Sequence, residues 1–343
     1  MPVLVASLTL TVTSCSLVGE DDGDPGSGGD DTVVLVTHDS FSLPEDLVAQ
    51  FEEESGQQLE VRQVGDGGTL TNELVLTKDS PLGDVAFGVD NTYASRALDE
   101  GVFAPVDIEV PAGVEEHALP GDDEHALTAV DNANVCVNID TTWFEEKGLA
   151  PPEGLDDLVD PAYRDLFVTS GATTSTPGMA FLLATIAEYG DGWPGYWEDL
   201  LANGAKLTKG WEDAYNVDFT VSGGDRPIVL SYDSSPAFTV ADGVSSTAAL
   251  LDTCFEQVEY AGLIEGADNP EGGEELIRFL VGPEVQAALP ESMYVFPVVE
   301  GVDLPAEWAE FARRPTDPYA VDPAEVAQNR EAWLREWSDV TSR

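Results

Sequence analysis

The sequence predicts an α/β protein built around a mostly parallel sheet. Short, continuously apolar runs such as 32–37 (TVVLVT) have the composition of strands that are buried on both faces. Segments with a helical spacing of apolar residues follow such runs in regular alternation, which is typical of parallel sheets. The 343 residues, 43% of them hydrophobic, are enough for about two domains with cores of their own.

From Thr32 onward the chain alternates strand and helix. Strand 32–37 leads to a helix for which Ser42 is the expected N-cap and Gly56 the expected stop. The elements that follow are strand 59–64, helix 69–76, strand 84–88 and helix 93–100. This first set predicts one parallel-sheet unit.

A second alternating set starts near Asn134 and continues along the rest of the chain. Short apolar runs predict its strands at 135–139, 167–168, 206–208, 227–231, 257–263 and 294–299. Helical spacing predicts its helices at 142–147, 178–189, 196–203, 212–221, 270–281 and 283–289. An Asp-Pro start at 322–323 opens a final helix whose apolar face includes Trp333 and Trp337.

The charge balance is strongly acidic, with 66 Asp and Glu against 14 Lys and Arg and a formal net charge of −52. This argues against nucleic acid as a partner, because phosphates are bound by basic patches. It also argues against adhesion to anionic lipid through a basic face. Such a surface keeps a protein soluble in a salty medium and favours the approach of a cationic ligand.

The N-terminal residues resemble the end of a bacterial lipoprotein signal. Small residues at 12–14 precede Cys15, which takes the place of the acylated cysteine, and the apolar stretch is too short to span a bilayer. Residues 1–15 are therefore interpreted as a signal remnant, and the Gly, Asp and Ser of 16–31 as a flexible acidic linker. A disordered N-terminus without lipid is the alternative. On the first interpretation the protein is extracytoplasmic and is anchored by a lipid to the outer face of the cell membrane, with a periplasmic location as the alternative.

Two further cysteines, Cys136 and Cys254, each lie in an apolar, strand-like run. An exported protein can form disulfides, and two buried free thiols are the alternative. Residues this far apart pair only if the fold brings them together, so their sequence contexts leave both arrangements open.

Polar residues follow several predicted strands, where open parallel sheets bind their ligands. Asp39 and Ser40 follow the first strand, although helix capping alone would explain them. Ser175 and Thr176 belong to a run of four hydroxyls before a helix, a pattern that suits either phosphate binding or an ordinary N-cap.

Aromatic residues recur in the same kind of position. Trp211 follows a strand, where stacking on a ring or a cation and burial in the core are both consistent with the sequence. Tyr232 and Phe238 flank the hydroxyls of YDSSPAF at the end of strand 227–231, and Tyr294 begins the last predicted strand. A turn or a ligand pocket would explain such a strand end equally well.

The sequence lacks the common catalytic signatures. The three histidines, His38, His117 and His125, do not have the spacing of metal ligands. No Gly-x-Ser-x-Gly elbow, P-loop or dinucleotide-binding glycine motif is present. Rings, hydroxyls and a few acids are instead the composition of a binding pocket. We therefore predict a binding protein that is not an enzyme and that uses no cofactor and no metal.

Seven fragments, in chain order, are spread along most of the sequence after residue 32: THDSF (37–41), VGDGGTLTNEL (64–74), DVAFGVDN (84–91), TSTPGMAFLL (174–183), LTKGWEDAY (207–215), VLSYDSSPAF (229–238) and AEVAQNREAWLREW (324–337). Together they resemble the periplasmic thiamine-binding proteins of bacterial ABC transporters. The Ser-Thr-Pro-Gly, Thr-Lys-Gly-Trp and Leu-Ser-Tyr-x-x-Ser-Pro-Ala patterns are specific to this family among solute receptors.

The resemblance implies a type II periplasmic-binding-protein fold, in which two parallel-sheet domains are joined by a two-strand hinge. The cleft between the domains closes on thiamine or a thiamine phosphate. On this basis residues 32–133 and 257–303 form domain I, residues 134–256 form domain II, and the helical tail 304–343 is not assigned to either. The implied role is that of a monomeric receptor that delivers its ligand to a membrane permease and its ATPase.

The resemblance also implies the ligand contacts. From domain I these are His38, Asp39, Ser40, Asp66 and Gly67. From domain II they are Ser175, Thr176, Trp211, Tyr215, Tyr232, Pro236 and Phe238, and Tyr294 takes the place of a family tryptophan. His38 and Phe238 stand where the family has tyrosine, so each keeps a ring and loses a hydroxyl. Aromatic faces stabilise a cation such as thiazolium by roughly 0.5–2 kcal/mol each.

The resemblance further places Cys136 and Cys254 on the two neighbouring hinge strands, which implies that they form a disulfide. Two other functions remain open. One is a receptor for another small solute, such as iron or an anion, although the tandem tyrosine pair of iron receptors with a similar fold is absent. The other is an extracellular thiamine-processing enzyme, which would need a nucleophile in the cleft.

Overall fold

The computed structural model describes residues 31–343. The predicted signal remnant with Cys15, and residues 16–30 of the predicted linker, lie outside the described residues. Within the described part, no helix combines the length and the apolar character that a membrane crossing requires.

Strands and helices alternate along the described chain. The strands are Thr32–Thr37 (β1), Gln58–Gln63 (β2), Val85–Asp90 (β3), Thr128–Asp140 (β4), Phe167–Ser170 (β5), Lys206–Thr208 (β6), Ile228–Tyr232 (β7), Val240–Ala241 (β8), Val244–Ser245 (β9), Thr247–Leu263 (β10) and Phe296–Pro297 (β11). The α-helices are Glu45–Ser55 (α1), Gly67–Leu76 (α2), Ala94–Asp99 (α3), Thr141–Lys147 (α4), Thr176–Tyr189 (α5), Trp193–Ala202 (α6), Trp211–Asp213 (α7), Ser235–Phe238 (α8), Pro270–Leu280 (α9), Pro283–Ser292 (α10), Trp308–Phe311 (α11) and Pro323–Thr341 (α12).

One mixed sheet runs through residues 31–343 in the order β2-β1-β3-β10-β4-β7-β5-β6, and β11 pairs with β4. At one end β1 is parallel to β2 and β3, and at the other β5 is parallel to β6 and β7. The long strands β4 and β10 run through the middle, antiparallel to each other and to their outer neighbours. The predicted fold of two parallel-sheet units joined by two strands is therefore confirmed, and backbone hydrogen bonds continue from one unit into the other.

The two largest apolar cores of the described residues lie at the two ends of this sheet, and strands β4 and β10 contribute residues to both. Ala133 and Val258 belong to the first core, together with residues of α1, α2, α9 and α10. Val135 and Phe255 belong to the second, together with residues of α5, α6 and α12. The change from one core to the other lies beside the domain boundaries predicted from the resemblance, after residues 133 and 256.

The C-terminal helix α12 packs mainly on the second core. Val326, Trp337 and Val340 are buried there, and Trp337 contacts Trp197 edge to face at 5.5 Å. Arg330, on the same helix, donates a hydrogen bond to the backbone oxygen of Tyr93, 3.2 Å away in the other half of the chain. The tail is therefore part of the packed structure and contacts residues from both sets of elements.

The disulfide implied by the resemblance is present. Cys136 of β4 is bonded to Cys254 of β10, 118 residues further along the chain, and both side chains are fully buried. The pairing of β4 with β10 is interrupted between Leu250 and Phe255. The covalent bond thus joins the two crossing strands where their backbone ladder is broken.

Two helices differ from the prediction. Helix α1 begins with Pro44 at the N-cap position and has no side-chain cap, so the proposed role of Ser42 is wrong. The predicted helix 212–221 is only the short α7, followed by a π turn at Ala214–Asp218. The backbone turns extended at Phe219, whose ring is fully buried, and burial of this ring outweighs continuation of the helix.

Two strands also differ. The predicted strand 294–299 is reduced to β11, because Tyr294 has a φ of 56°, which lies outside the β region. Strand β10 begins at Thr247, ten residues before the prediction, and is preceded by the hairpin of β8 and β9. Polar residues at 252, 253 and 256 interrupt the apolar residues of the added segment 247–256, which therefore shows neither a long apolar run nor strict alternation.

Gly88 combines an unusual backbone with a close contact in the middle of β3. Its φ is 99°, and a Cβ built there would lie 2.2 Å from Cδ2 of His38. We expect Gly88→Ala to lower the free energy of unfolding in urea by about 2–4 kcal/mol, from backbone strain plus displacement of the His38 ring. Gly56→Ala is the matched control, because its φ is 72° with nothing within 4 Å of the added carbon. Gly56→Ala should therefore lower the free energy of unfolding by about 1–2 kcal/mol, from backbone strain alone. Equal losses of stability in the two variants would contradict the clash with His38.

Candidate functional site

A cavity of about 260 Å³ lies between the two halves of the molecule. Its lining includes His38 after β1, Asp66 after β2, Trp211 after β6 and Tyr232 at the end of β7. These are the carboxyl ends of parallel strands in both halves, the position at which open α/β sheets bind ligands. The cavity is therefore the candidate functional site.

Most of the predicted contacts line this cavity: His38, Asp39, Ser40, Asp66, Gly67, Thr176, Trp211, Tyr215, Tyr232, Phe238 and Tyr294. Ser175 and Pro236 lie outside the lining. The Ser175 hydroxyl caps α5 through the N–H of Gly178 and donates to Ser170 Oγ at 2.7 Å. Pro236 is buried in the first turn of α8, where its ring supports the turn that positions Phe238.

Four rings make a continuous aromatic wall on one side of the cavity. Trp211 stacks on Tyr215 with centroids 5.0 Å apart, and Tyr215 meets Phe238 at 6.3 Å. Phe238 in turn contacts Tyr294 edge to face at 4.8 Å. Phe238 is 55% exposed, which places it at the mouth, and the indole N–H of Trp211 donates to Ser231 Oγ at 2.9 Å. The wall thus has a fixed orientation and offers π faces to a flat or cationic ligand.

Tyr294 is held in a strained conformation where it joins the aromatic wall. Its φ of 56° is uncommon for a residue with a side chain. Its backbone oxygen accepts a hydrogen bond from Ser234 Oγ at 2.5 Å, and its N–H donates to Leu289 at 3.1 Å. These bonds link α8 to the end of α10 and hold the ring in place despite the strain.

Asp66 connects the two halves beside the cavity. Its Oδ1 accepts from the N–H groups of Gly67 at 2.7 Å and Thr176 at 3.0 Å, and its Oδ2 accepts from the N–H of Trp211 at 2.9 Å. Burial raises the pKa of Asp66, and these N–H donors oppose the rise. Of the two interpretations of the hydroxyl run, the N-cap is the one present, with Ser175 as the cap, and the N–H of Thr176 is already bonded to a carboxylate of the protein.

Other carboxylates lie beside Asp66, in the lining or close behind it. Ser40 Oγ donates to Glu212 Oε1 at 2.9 Å, which connects the halves a second time. Partial burial, followed by repulsion from Asp66 and Glu212, raises the pKa of Asp39 to about 6. No Lys or Arg is among the described residues that line the cavity. The site is consequently favourable for a cation and unfavourable for an anion.

His38 and Glu259 form a further polar part of the lining. Burial lowers the pKa of His38 to about 4, so its imidazole is neutral at pH 7 and does not repel a cation. Glu259, which was not predicted, lies on β10 with Oε1 at 3.6 Å from His38 Nε2. One signal for it was present, since a carboxylate interrupts the apolar strand QVEYAGL at 257–263.

The other lining residues were not among the predicted contacts: Pro177, Glu212, Asn216, Ser235, Ser292, Met293 and Val295. They lie at helix ends, in short turns and in loops, and their approach to the cavity depends on how those segments fold. Within residues 31–343, no three side chains of His, Cys, Asp or Glu converge as they would around a metal ion.

Comparison with known proteins gives a consistent result. The family model of the bacterial extracellular solute-binding proteins matches residues 46–316. The thiamine-binding periplasmic protein of Brucella suis biovar 1 is 31% identical over 335 residues, which are 93% of this chain and 95% of that protein. The thiamine-binding periplasmic protein of Escherichia coli K12 is 29% identical over 323 residues, 91% of this chain and 94% of that protein.

A solved structure of a periplasmic thiamin binding protein has the same fold. It superposes with a TM-score of 0.80 at 30% identity, and the match covers 93% of this chain and 98% of that chain. Family membership confirms the prediction of a solute-binding protein rather than an enzyme. The chain belongs to the bacterial extracellular solute-binding proteins and, within them, to the family of the periplasmic thiamine-binding proteins.

Proposed function

We propose that this protein is the extracytoplasmic receptor of an ABC importer, which binds thiamine between its two halves and delivers it to a permease and its ATPase. The observation that carries the proposal is the aromatic wall beside a group of carboxylates, with no Lys or Arg among the described lining residues. Thiamine has a permanently charged thiazolium ring and a flat aminopyrimidine. Aromatic faces and carboxylates are the groups that stabilise such a ligand.

Calorimetric titration tests the proposal directly. We expect thiamine to bind with a Kd of about 1 μM or lower and to raise the melting temperature in proportion to its concentration. Choline is the control ligand, because it carries a permanent charge without the two rings, and it should bind at least about 100-fold more weakly. Absence of heat and of thermal stabilisation with thiamine and its phosphates would defeat the proposal.

Thiamine should bind more tightly than thiamine monophosphate, by about 10-fold or more. A phosphate in this cavity would meet Asp39, Asp66 and Glu212, and the helix start at Thr176 is already occupied by the Asp66 carboxylate. Competition between the two ligands, with a fluorescent or radiolabelled thiamine as reporter, measures the ratio. Equal or tighter binding of the monophosphate would mean that a phosphate displaces Asp66 from the helix start.

We also propose that the receptor works as a monomer without a cofactor, and that a lipid on Cys15 holds it at the outer face of the membrane. The sequence around Cys15 supports the lipid anchor. An enzyme acting on thiamine has less support, because Cys136 and Cys254 are bonded to each other and neither offers a free thiol. A chromatographic assay in which incubated thiamine stays intact would separate the receptor from such an enzyme.

A further inference from the structure

Glu259 and His38 form a buried polar patch on the cavity lining, apart from the aromatic wall. Their exposed fractions are 6% and 8%. The imidazole Nε2 of His38 has no hydrogen-bond partner among the described residues, and the nearest carboxyl atom, Glu259 Oε1, is 3.6 Å away. Buried polar groups without partners are rare and costly. A ligand that supplies hydrogen bonds to this patch would remove that cost.

The protonation of Glu259 determines which hydrogen bonds it can make. Glu259 lies opposite Asp131 on the neighbouring antiparallel strands β10 and β4, and both side chains are buried. Burial raises the pKa of both carboxyls, and repulsion from Asp131 raises that of Glu259 further. The pair therefore holds a proton at pH 7. The proton joins the two carboxyls in a hydrogen bond, so an oxygen of Glu259 is left to accept a hydrogen bond from a ligand.

Taking the proposed function as its basis, we infer that Glu259 recognises the aminopyrimidine ring of thiamine by accepting a hydrogen bond from its 4′-amino group. That group is an N–H donor, and a carboxyl oxygen on the cavity lining is the complementary acceptor. His38 Nε2 lies beside this contact, and the thiazolium is left to the aromatic wall.

The test compares thiamine with 4′-deaminothiamine, which lacks only the amino group. We expect the wild-type protein to prefer thiamine by about 10- to 100-fold, since the analogue leaves a buried acceptor unpaired. Glu259→Leu removes the acceptor, so the ratio of the two Kd values should fall to about 1. Glu259→Gln keeps an acceptor oxygen and can donate its amide N–H to Asp131, so most of the preference should remain. An inactive fraction of a variant affects the titrations with both ligands equally, so it does not change the ratio of the two Kd values.

Glu256→Leu is the matched control, because Glu256 is an exposed residue of the same strand. Its Kd ratio should equal that of the wild type. Retention of the preference in Glu259→Leu would overturn the inference. If Glu259→Leu does not fold, the ratio of the two Kd values in the wild type is still a test. Equal binding of thiamine and 4′-deaminothiamine would overturn the inference, while the proposed function would stand. Binding of neither ligand to the wild type would instead defeat the proposed function.

Discussion

Replacing Trp211 with alanine is expected to weaken thiamine binding by about 30- to 150-fold, or 2–3 kcal/mol, with little effect on folding. The indole is the largest ring of the aromatic wall, stacked on Tyr215 at 5.0 Å and 6.2 Å from the ring of Tyr232. Its truncation removes a π face from the cation and opens the cavity to water. Because Trp211 is only half-buried, the apolar cores lose little contact. Calorimetry gives the affinity, and thermal unfolding of the free protein checks the fold.

Two variants make the result specific to the ring. Trp143→Ala truncates another half-buried tryptophan, on α4 and outside the cavity lining, and should leave the Kd for thiamine unchanged. Trp211→Phe keeps an aromatic face and should recover about half or more of the lost binding free energy. Unchanged affinity in Trp211→Ala would remove this residue from the site.

The largest effect on stability is expected from loss of the disulfide. Its half-cystines are 118 residues apart, and a cross-link closing a loop of that size stabilises a fold by about 4–5 kcal/mol in the chain-entropy model. The double variant Cys136→Ala, Cys254→Ala should therefore lower the free energy of unfolding by about 2–5 kcal/mol. Urea denaturation followed by tryptophan fluorescence measures the change.

Thiamine affinity separates this structural role from a role in the site. Neither sulfur atom lines the cavity, so the double variant should keep its Kd within about threefold at temperatures well below unfolding. Wild-type protein unfolded with and without a reductant is the matched comparison, since only the oxidised form has the cross-link. A double variant as stable as the oxidised wild type would show that strand pairing and the apolar cores stabilise β4 and β10 without the cross-link.

Much of the fold could be predicted because each parallel unit follows from local patterns. The apolar run 32–37 and the alternation after it correspond to β1, α1, β2, α2 and β3 with end shifts of a few residues. The predictions that were wrong depend on distant contacts. The predicted helix 212–221 ends early because Phe219 is buried in the core, and the predicted strand 294–299 is broken at Tyr294. Local sequence propensity contains no information on the burial of Phe219 or on the backbone conformation of Tyr294.

The sequence by itself determined the class of site. Thr-Lys-Gly-Trp, YDSSPAF and the residues after the first strand placed rings, hydroxyls and acids at strand ends, and the fold collects most of them around one cavity. The resemblance of these fragments also implied the disulfide. The pairing of β4 with β10 brings the two cysteines close enough to form it.

Only the tertiary structure decided which ionisable side chains face the ligand and in which protonation state. Asp66 occupies the helix start at Thr176, a contact between residues 110 positions apart. Burial keeps His38 neutral, and the pairing of β10 with β4 places Glu259 against Asp131 beside the cavity. The physical reason is that hydrogen-bond partners and desolvation depend on neighbours from distant parts of the chain. A sequence specifies which groups are present, whereas packing determines their protonation and the hydrogen bonds left for a ligand.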